Sequence, residues 1–291
     1  MNRWIFVFLA LAGLCCPAWV LAQGDRLENE FDIETFYYQD SDLDADGDAG
    51  SFQVMGARAG LEIGWLVADY AYRQYDWEDA SLLPFGGGAA EPWEDLHSAA
   101  LGFSHDEMVT NTWGYFVRAQ GTTAFEEEMD DSFGALALGG VMYNMPEWNM
   151  RFRLGAAYSW NEVTSQVFPL AGLIWGQGRD TGLSVALGVP LTAVTYRFSE
   201  RTALRARVGF DADTYRLADD NPASPEGYLE TEDIGGEIAL LYNLTDTLRL
   251  TLAGGWFFDR TLTLYDSEGE GGMEYDVEDG ATARAQLSFS F

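Results

Sequence analysis

Residues 148–161 read Trp-Asn-Met-Arg-Phe-Arg-Leu-Gly-Ala-Ala-Tyr-Ser-Trp-Asn, and their two-residue period decides the fold. Trp148, Met150, Phe152, Leu154, Ala156, Tyr158 and Trp160 share one face of a strand. Asn149, Arg151, Arg153, Gly155, Ala157, Ser159 and Asn161 share the other. The apolar face carries aromatics at both ends and aliphatics between them. A sandwich strand packing on a second sheet has no reason for that order. A strand crossing a bilayer does, because Trp and Tyr settle at the two interfaces.

The period recurs. Trp113, Tyr115, Val117 and Ala119 alternate with Gly114, Phe116, Arg118 and Gln120. Leu248, Leu250, Leu252, Trp256 and Phe258 alternate with Thr247, Arg249, Thr251 and Asp259. Ala283, Ala285, Leu287, Phe289 and Phe291 alternate with Thr282, Arg284, Gln286, Ser288 and Ser290. Short turns are expected near Ile63-Gly64, Asp106-Glu107, Met145-Pro146, Gly178-Arg179, Ser199-Glu200 and Thr245-Asp246. Long acidic or Gly-rich connections, at 41–50, 78–93, 125–131, 218–226 and 266–278, alternate with most of them. Lipid offers no hydrogen bonds, so spanning strands must close on themselves. The expectation is an all-β, closed, antiparallel, up-and-down transmembrane barrel of 14 strands. It becomes 12 if the hairpin from Leu183 to Phe198, turning at Val189-Pro190, does not make two crossings.

The final strand resembles those of Gram-negative outer-membrane β-barrels, which end in phenylalanine preceded by apolar residues at every second position. The resemblance implies that Leu287, Phe289 and Phe291 are a membrane-insertion signal read by the barrel-assembly machinery. Residues 188–211 and the Phe291 ending are similar to a family of outer-membrane barrels classed as a domain of unknown function. That family implies a fold and a membrane, and no activity.

The amino terminus agrees with export. Met1-Asn2-Arg3, the apolar run from Trp4 to Leu14, and Val20-Leu21-Ala22 before Gln23 have the form of a cleaved signal peptide. Residues 1–22 are therefore expected to leave a single barrel domain at 23–291, in the bacterial outer membrane. Cys15 and Cys16 are the only cysteines, so the mature chain should contain none.

The chain has 16 basic residues, all arginine, against 47 acids, a net charge of −31. That balance excludes nucleic-acid binding, since nothing would offset phosphate repulsion. With register set by the apolar residues, Arg58, Arg73, Arg118, Arg151, Arg153, Arg197, Arg205, Arg207, Arg249 and Arg284 fall on the face away from lipid. Exposing one at mid-bilayer would cost about 2–4 kcal/mol. Inward acids such as Glu62, Asp69, Asp211, Asp213 and Glu237 accompany them.

Two roles fit. The charges can form a network that stiffens a filled barrel. Alternatively they can line a narrow porin-like channel for small polar or anionic solutes, because guanidinium binds carboxylate and phosphate bidentately. A non-transporting barrel that is structural, or binds a ligand or calcium, is the alternative, its acidic loops meeting lipopolysaccharide and divalent cations. Asp42, Asp44, Asp46 and Asp48 match the first half of a calcium loop, although the twelfth position is Gln53 rather than Glu. No catalytic constellation is visible, and the chain is read as a non-enzyme. His97 and His105 stand eight apart, and Ser98-Ala99 after His97 departs from the His-x-Ser-Asn-Gly of outer-membrane phospholipases.

Overall fold

The computed structural model describes residues 29–44, 50–83, 85 and 91–291. The expected signal peptide lies outside them. The strands are β1 (Asn29–Asp44), β2 (Ser51–Ile63), β3 (Leu66–Glu78), β4 (Asp95–Met108), β5 (Trp113–Phe125), β6 (Phe133–Met145) and β7 (Met150–Trp160). They continue with β8 (Ser165–Trp175), β9 (Gly182–Gly188), β10 (Leu191–Arg197), β11 (Thr202–Arg216), β12 (Tyr228–Asn243) and β13 (Leu248–Tyr265). The last wall position is held by two pieces in line, β14 (Met273–Val277) and β15 (Gly280–Ser290). Consecutive strands pair antiparallel, and β15 closes on β1, with Phe31 opposite Phe289 and Thr35 opposite Ala285. The wall is a closed up-and-down barrel of 14 strands, as expected.

The pleat explains the two faces. Leu101, Leu154 and Ile238 stand outward and exposed, in the band that apolar side chains form on a barrel in lipid. Trp65, Trp113, Trp148, Tyr196, Phe198 and Phe289 are exposed near the short-turn rim. Tyr37, Tyr70, Phe133, Tyr158 and Trp160 are exposed nearer the long-loop rim. The inner face carries the arginines.

Three expectations need correction. The turn after β4 lies at 109–112, not at Asp106-Glu107. Glu107 stays in the ladder opposite Tyr115, whose hydroxyl donates to it, and Thr110 Oγ1 accepts from the Trp113 amide at 2.9 Å to make the turn. Trp148 is in a short 3₁₀ turn, Pro146–Trp148, so the strand begins at Met150. Asp259 faces outward, because a bulge between Ile234 and Gly235 on β12 leaves Phe258 unpaired and reverses the parity of β13 beyond it. A second register shift, between Tyr38 and Ser41 on β1, reverses that strand in the same way.

Those reversals turn Leu43, Leu262 and Leu264 inward at the loop-rim end. There they join Phe52, Val54, Tyr75, Trp77, Leu96, Leu229 and Val277 from the strands, and Leu83, Phe85, Trp93 and Leu217 from the loops. Trp77 and Trp93 meet edge-on at 5.1 Å, and Trp77 Nε1 donates to the Trp93 carbonyl at 2.7 Å. Burying each large side chain contributes about 1.5–3 kcal/mol. The loop-rim mouth is thus filled by an apolar core like that of a soluble domain.

The hairpin of β9 and β10 is half height. β8 pairs with β9 only from Gly172 opposite Gly188 to Trp175 opposite Val185. β10 pairs with β11 from Arg197 opposite Ala203 to Leu191 opposite Gly209. Above that level β11 stays in ladder with β12 but leaves β10: Arg216 bridges to Phe125 of β5, and Asn161 Nδ2 donates to Thr214 Oγ1 at 3.1 Å. Leu204 and Val208 on its outer face are 41% and 50% exposed, whereas Phe210 and Ala212 farther along that face are 8% and 4% exposed.

Candidate functional site: an arginine chamber

Below the apolar core the lumen holds a cavity of about 200 Å³. Arg58 from β2, Arg118 from β5, Arg197 from β10, Arg205 and Arg207 from β11, and Arg249 from β13 line it. Glu30, Asp32, Glu62 and Asp69 line it too, and Ile174, Leu191 and Ala193 supply an apolar side. Alternation puts these groups there. Arg205 and Arg207 are two apart on β11, with Leu204, Ala206 and Val208 outward between and beside them.

Most of the cations are already matched. Arg58 Nη2 lies 2.9 Å from Asp69, and Arg118, almost wholly buried, reaches the same carboxylate at 3.6 Å and Gln120 at 2.8 Å. Arg73 sits higher and forks to Asp213 at 2.8 Å and Asp211 at 3.5 Å, pinning the displaced half of β11. Glu237 is shared by Arg207, at 2.7 Å, and Arg284, which also bonds Glu34. Arg153 packs over Phe116 and reaches Asp106 at 3.8 Å.

Arg205 differs. The charges around it are Arg207, Arg284, Arg249 and the single carboxylate Glu237. The carboxylate among them is taken by Arg207 and Arg284, and Arg205 Nε is buried with no hydrogen-bond partner. Arg249 donates to the neutral Asn243 side chain at 3.0 Å. Arg151 stands outside the cavity lining, with its Nε also buried and without a partner. These guanidinium groups are half-buried, so a missing counter-ion costs them less than full burial would, and an entering anion would supply the partner.

Sequence reasoning missed Arg260 and Arg216. Arg260 is buried, donates to Asp233 at 2.9 Å and to Ser41 at 2.8 Å, and lies over the Phe257 ring. Plain alternation from Trp256 and Phe258 would send it into lipid; only the bulge places it inside. Arg216 bonds Asp219 and the Leu217 carbonyl beside the loop-rim core.

The other candidates are dispersed. β1 runs in ladder through Asp44, so the first three positions of the calcium pattern are strand. Asp46 and Asp48 lie outside the described residues, and among the described residues no three His, Cys, Asp or Glu side chains gather to hold a metal. His97 accepts or donates a bond with Tyr70 at 2.8 Å, and His105 lies 3.6 Å from Glu107, at the other end of β4. Leu287, Phe289 and Phe291 are exposed near the short-turn rim.

No family model and no curated protein matches the chain. Solved structures similar to it include an outer-membrane channel from Pseudomonas putida F1, at 9% identity and TM-score 0.41, covering 91% of this chain and 97% of that one. A Pseudomonas aeruginosa FadL homologue matches at 10% identity and 0.41, covering 91% and 90%. The Ralstonia pickettii toluene transporter TbuX matches at 10% and 0.39, covering 96% and 95%. Similarities of this size carry no activity over to this chain.

Proposed function

We propose that the chain is an outer-membrane barrel that passes small polar or anionic solutes through an arginine chamber, gated by the apolar core at its loop-rim mouth. The observation that carries this is Arg205, half-buried among other cations, its Nε buried without a partner and no carboxylate bonded to it. A purely structural network would place an acid beside it. Guanidinium groups facing one cavity from β10, β11 and β13 offer an anion several donors at once. Short turns put the chamber at the periplasmic end and the sealed mouth outside.

A non-transporting, structural or ligand-binding barrel is the second reading, favoured by the loop-rim core, which leaves the mouth filled. On either reading the lipid-facing Leu287, Phe289 and Phe291 serve insertion, and lipopolysaccharide surrounds the acidic loops. Recording of refolded protein in planar bilayers separates the two: discrete steps, reduced by millimolar phosphate on the short-turn side, are expected of the channel. A membrane that stays silent, even after Trp93→Ala loosens the core, supports the filled barrel instead.

A further inference from the structure

The half-height hairpin leaves a seam in the wall. Residues 165–171 of β8 have no ladder partner on the side away from β7, and residues 211–215 of β11 have none on the side away from β12, Arg216 beyond them bridging Phe125 of β5. That is roughly 20 Å of strand edge on each flank. Tyr158 and Trp160, opposite Val167 and Ser165, mark the upper interface, so the seam lies at the depth of the outer leaflet's hydrocarbon. The β8 edge lies beside exposed Val167, and an unpaired edge in hydrocarbon is expensive because its amides and carbonyls find no water, whereas Ala212 and Thr214 on the β11 flank are covered. β8 reduces that cost with Pro169, which has no N–H to leave unpaired and is tolerated at a free edge.

The seam continues inward. Leu191 and Gly209 sit opposite one another at its foot, with Phe210 next to them. A second cavity, of about 140 Å³, is lined by Leu191, Gly209 and Phe210 together with Arg207 and Arg284. Leu191 also lines the arginine chamber, as does Ile174 on the β8 side. Apolar inner-wall residues at the edge of a charged chamber are out of place for a solute that is polar throughout. They suit a molecule polar at one end only.

We propose that chamber and seam form one site for a single-chain amphiphile with a phosphate head. The head takes Arg205 and Arg249, and the alkyl tail runs past Ile174, Leu191 and Phe210 toward the outer leaflet. Phosphate fits better than a monoanion, because Arg205 and Arg249 both lack a carboxylate and a dianion meets two such cations. The site rests on the anion reading above and adds the tail, its path and a lateral exchange route. Exchange requires the outer half of β11 to part from the β7–β8 corner, where Asn161 holds Thr214.

The test uses dodecyl phosphate carrying a diazirine in its tail, photolysed with the full barrel in lipid vesicles. Label is expected in peptides holding residues 168–174 and 191–210, displaced poorly by inorganic phosphate and not by dodecyltrimethylammonium. Arg205→Ala should lower it about tenfold, the equivalent of one charge-assisted bond. Asn161→Cys/Thr214→Cys, bridged by a short bis-methanethiosulfonate reagent, should slow labelling until dithiothreitol releases it. Gly209→Trp, which fills the corridor against Leu191, provides a second block should that pair misfold. Label spread evenly over the lipid-facing strands, or unchanged by the bridge and by Gly209→Trp, overturns the proposal. Seam label indifferent to Arg205→Ala also overturns it, and does so without touching the conductance reading, which phosphate block decides separately.

Discussion

The two ends of this lumen are lined by the same strands and filled by opposite chemistry. At the loop rim, Phe52, Trp77, Trp93 and Leu264 interlock as in the interior of a soluble protein. At the short-turn rim, Arg197, Arg205 and Arg249 face a cavity. Along β2 and β3 the difference is written in the side chains of one unbroken inner face, Phe52 and Val54 above Arg58, Tyr75 and Trp77 above Arg73. Two bulges add to it. They reverse parity beyond Tyr38 on β1 and beyond Phe258 on β13, so residues that would face lipid turn inward above the breaks. The upper half then gains a core, and the lower half keeps its charges.

The contrast breaks first at Trp93. If the loop-rim core is structural, Trp93→Ala should cost about 3–5 kcal/mol, as expected for a large buried aromatic. A lower urea midpoint for loss of the SDS-resistant form checks it. An unchanged midpoint would make the core mere loop packing.

Arg73 sharpens the boundary between the halves. Removing it by Arg73→Ala leaves Asp213 and Asp211 beside each other without a cation, at a cost of about 2 kcal/mol. That is below the 3–5 kcal/mol of full burial, because Asp211 is more than half exposed. Faster hydrogen exchange confined to residues 209–216 is the readout, and uniform destabilisation would contradict the assigned role.

The smallest effect is expected at Glu126, which ties three loops over the core. It accepts from the Ala218 amide and from Asn221, each at 2.8 Å, and Asn221 also donates to the Pro92 carbonyl. Burial raises the Glu126 carboxyl above its ordinary range, outweighing those two bonds, with Glu127 and Glu128 adding to the rise. The folded state therefore holds the proton more tightly than the unfolded one. This contribution to stability should fall as pH rises from the ordinary carboxylate range through the raised value, then level off. Glu126→Gln should abolish that slope in pH-dependent unfolding while keeping an oxygen that accepts from Ala218.

Much of the barrel was legible because its period is enforced by lipid. The face of residues 150–160 and the Phe291 ending each constrain parity, and the arginines followed from it. What escaped depends on events that parity cannot encode. Asp259 and Arg260 exchanged faces at a single bulged residue. Glu107, acidic and next to the expected turn, stays in strand because Tyr115 satisfies it. The pairing of Arg118 with Asp69, against the isolation of Arg205, depends on which side chains meet across the lumen, and no spacing along the chain records that. Pro169 was the one local sign of the seam, a residue without an amide hydrogen inside an apolar strand.

An anion-passing lumen requires Arg205 to present its charge to ions there. Reversal potentials of refolded wild type and Arg205→Ala, under a potassium chloride gradient, test this most directly. A chloride-selective wild type is expected, with the permeability ratio falling about fivefold in the variant, the equivalent of about 1 kcal/mol. A cation-selective wild type, or a ratio that Arg205→Ala leaves unchanged, would contradict it.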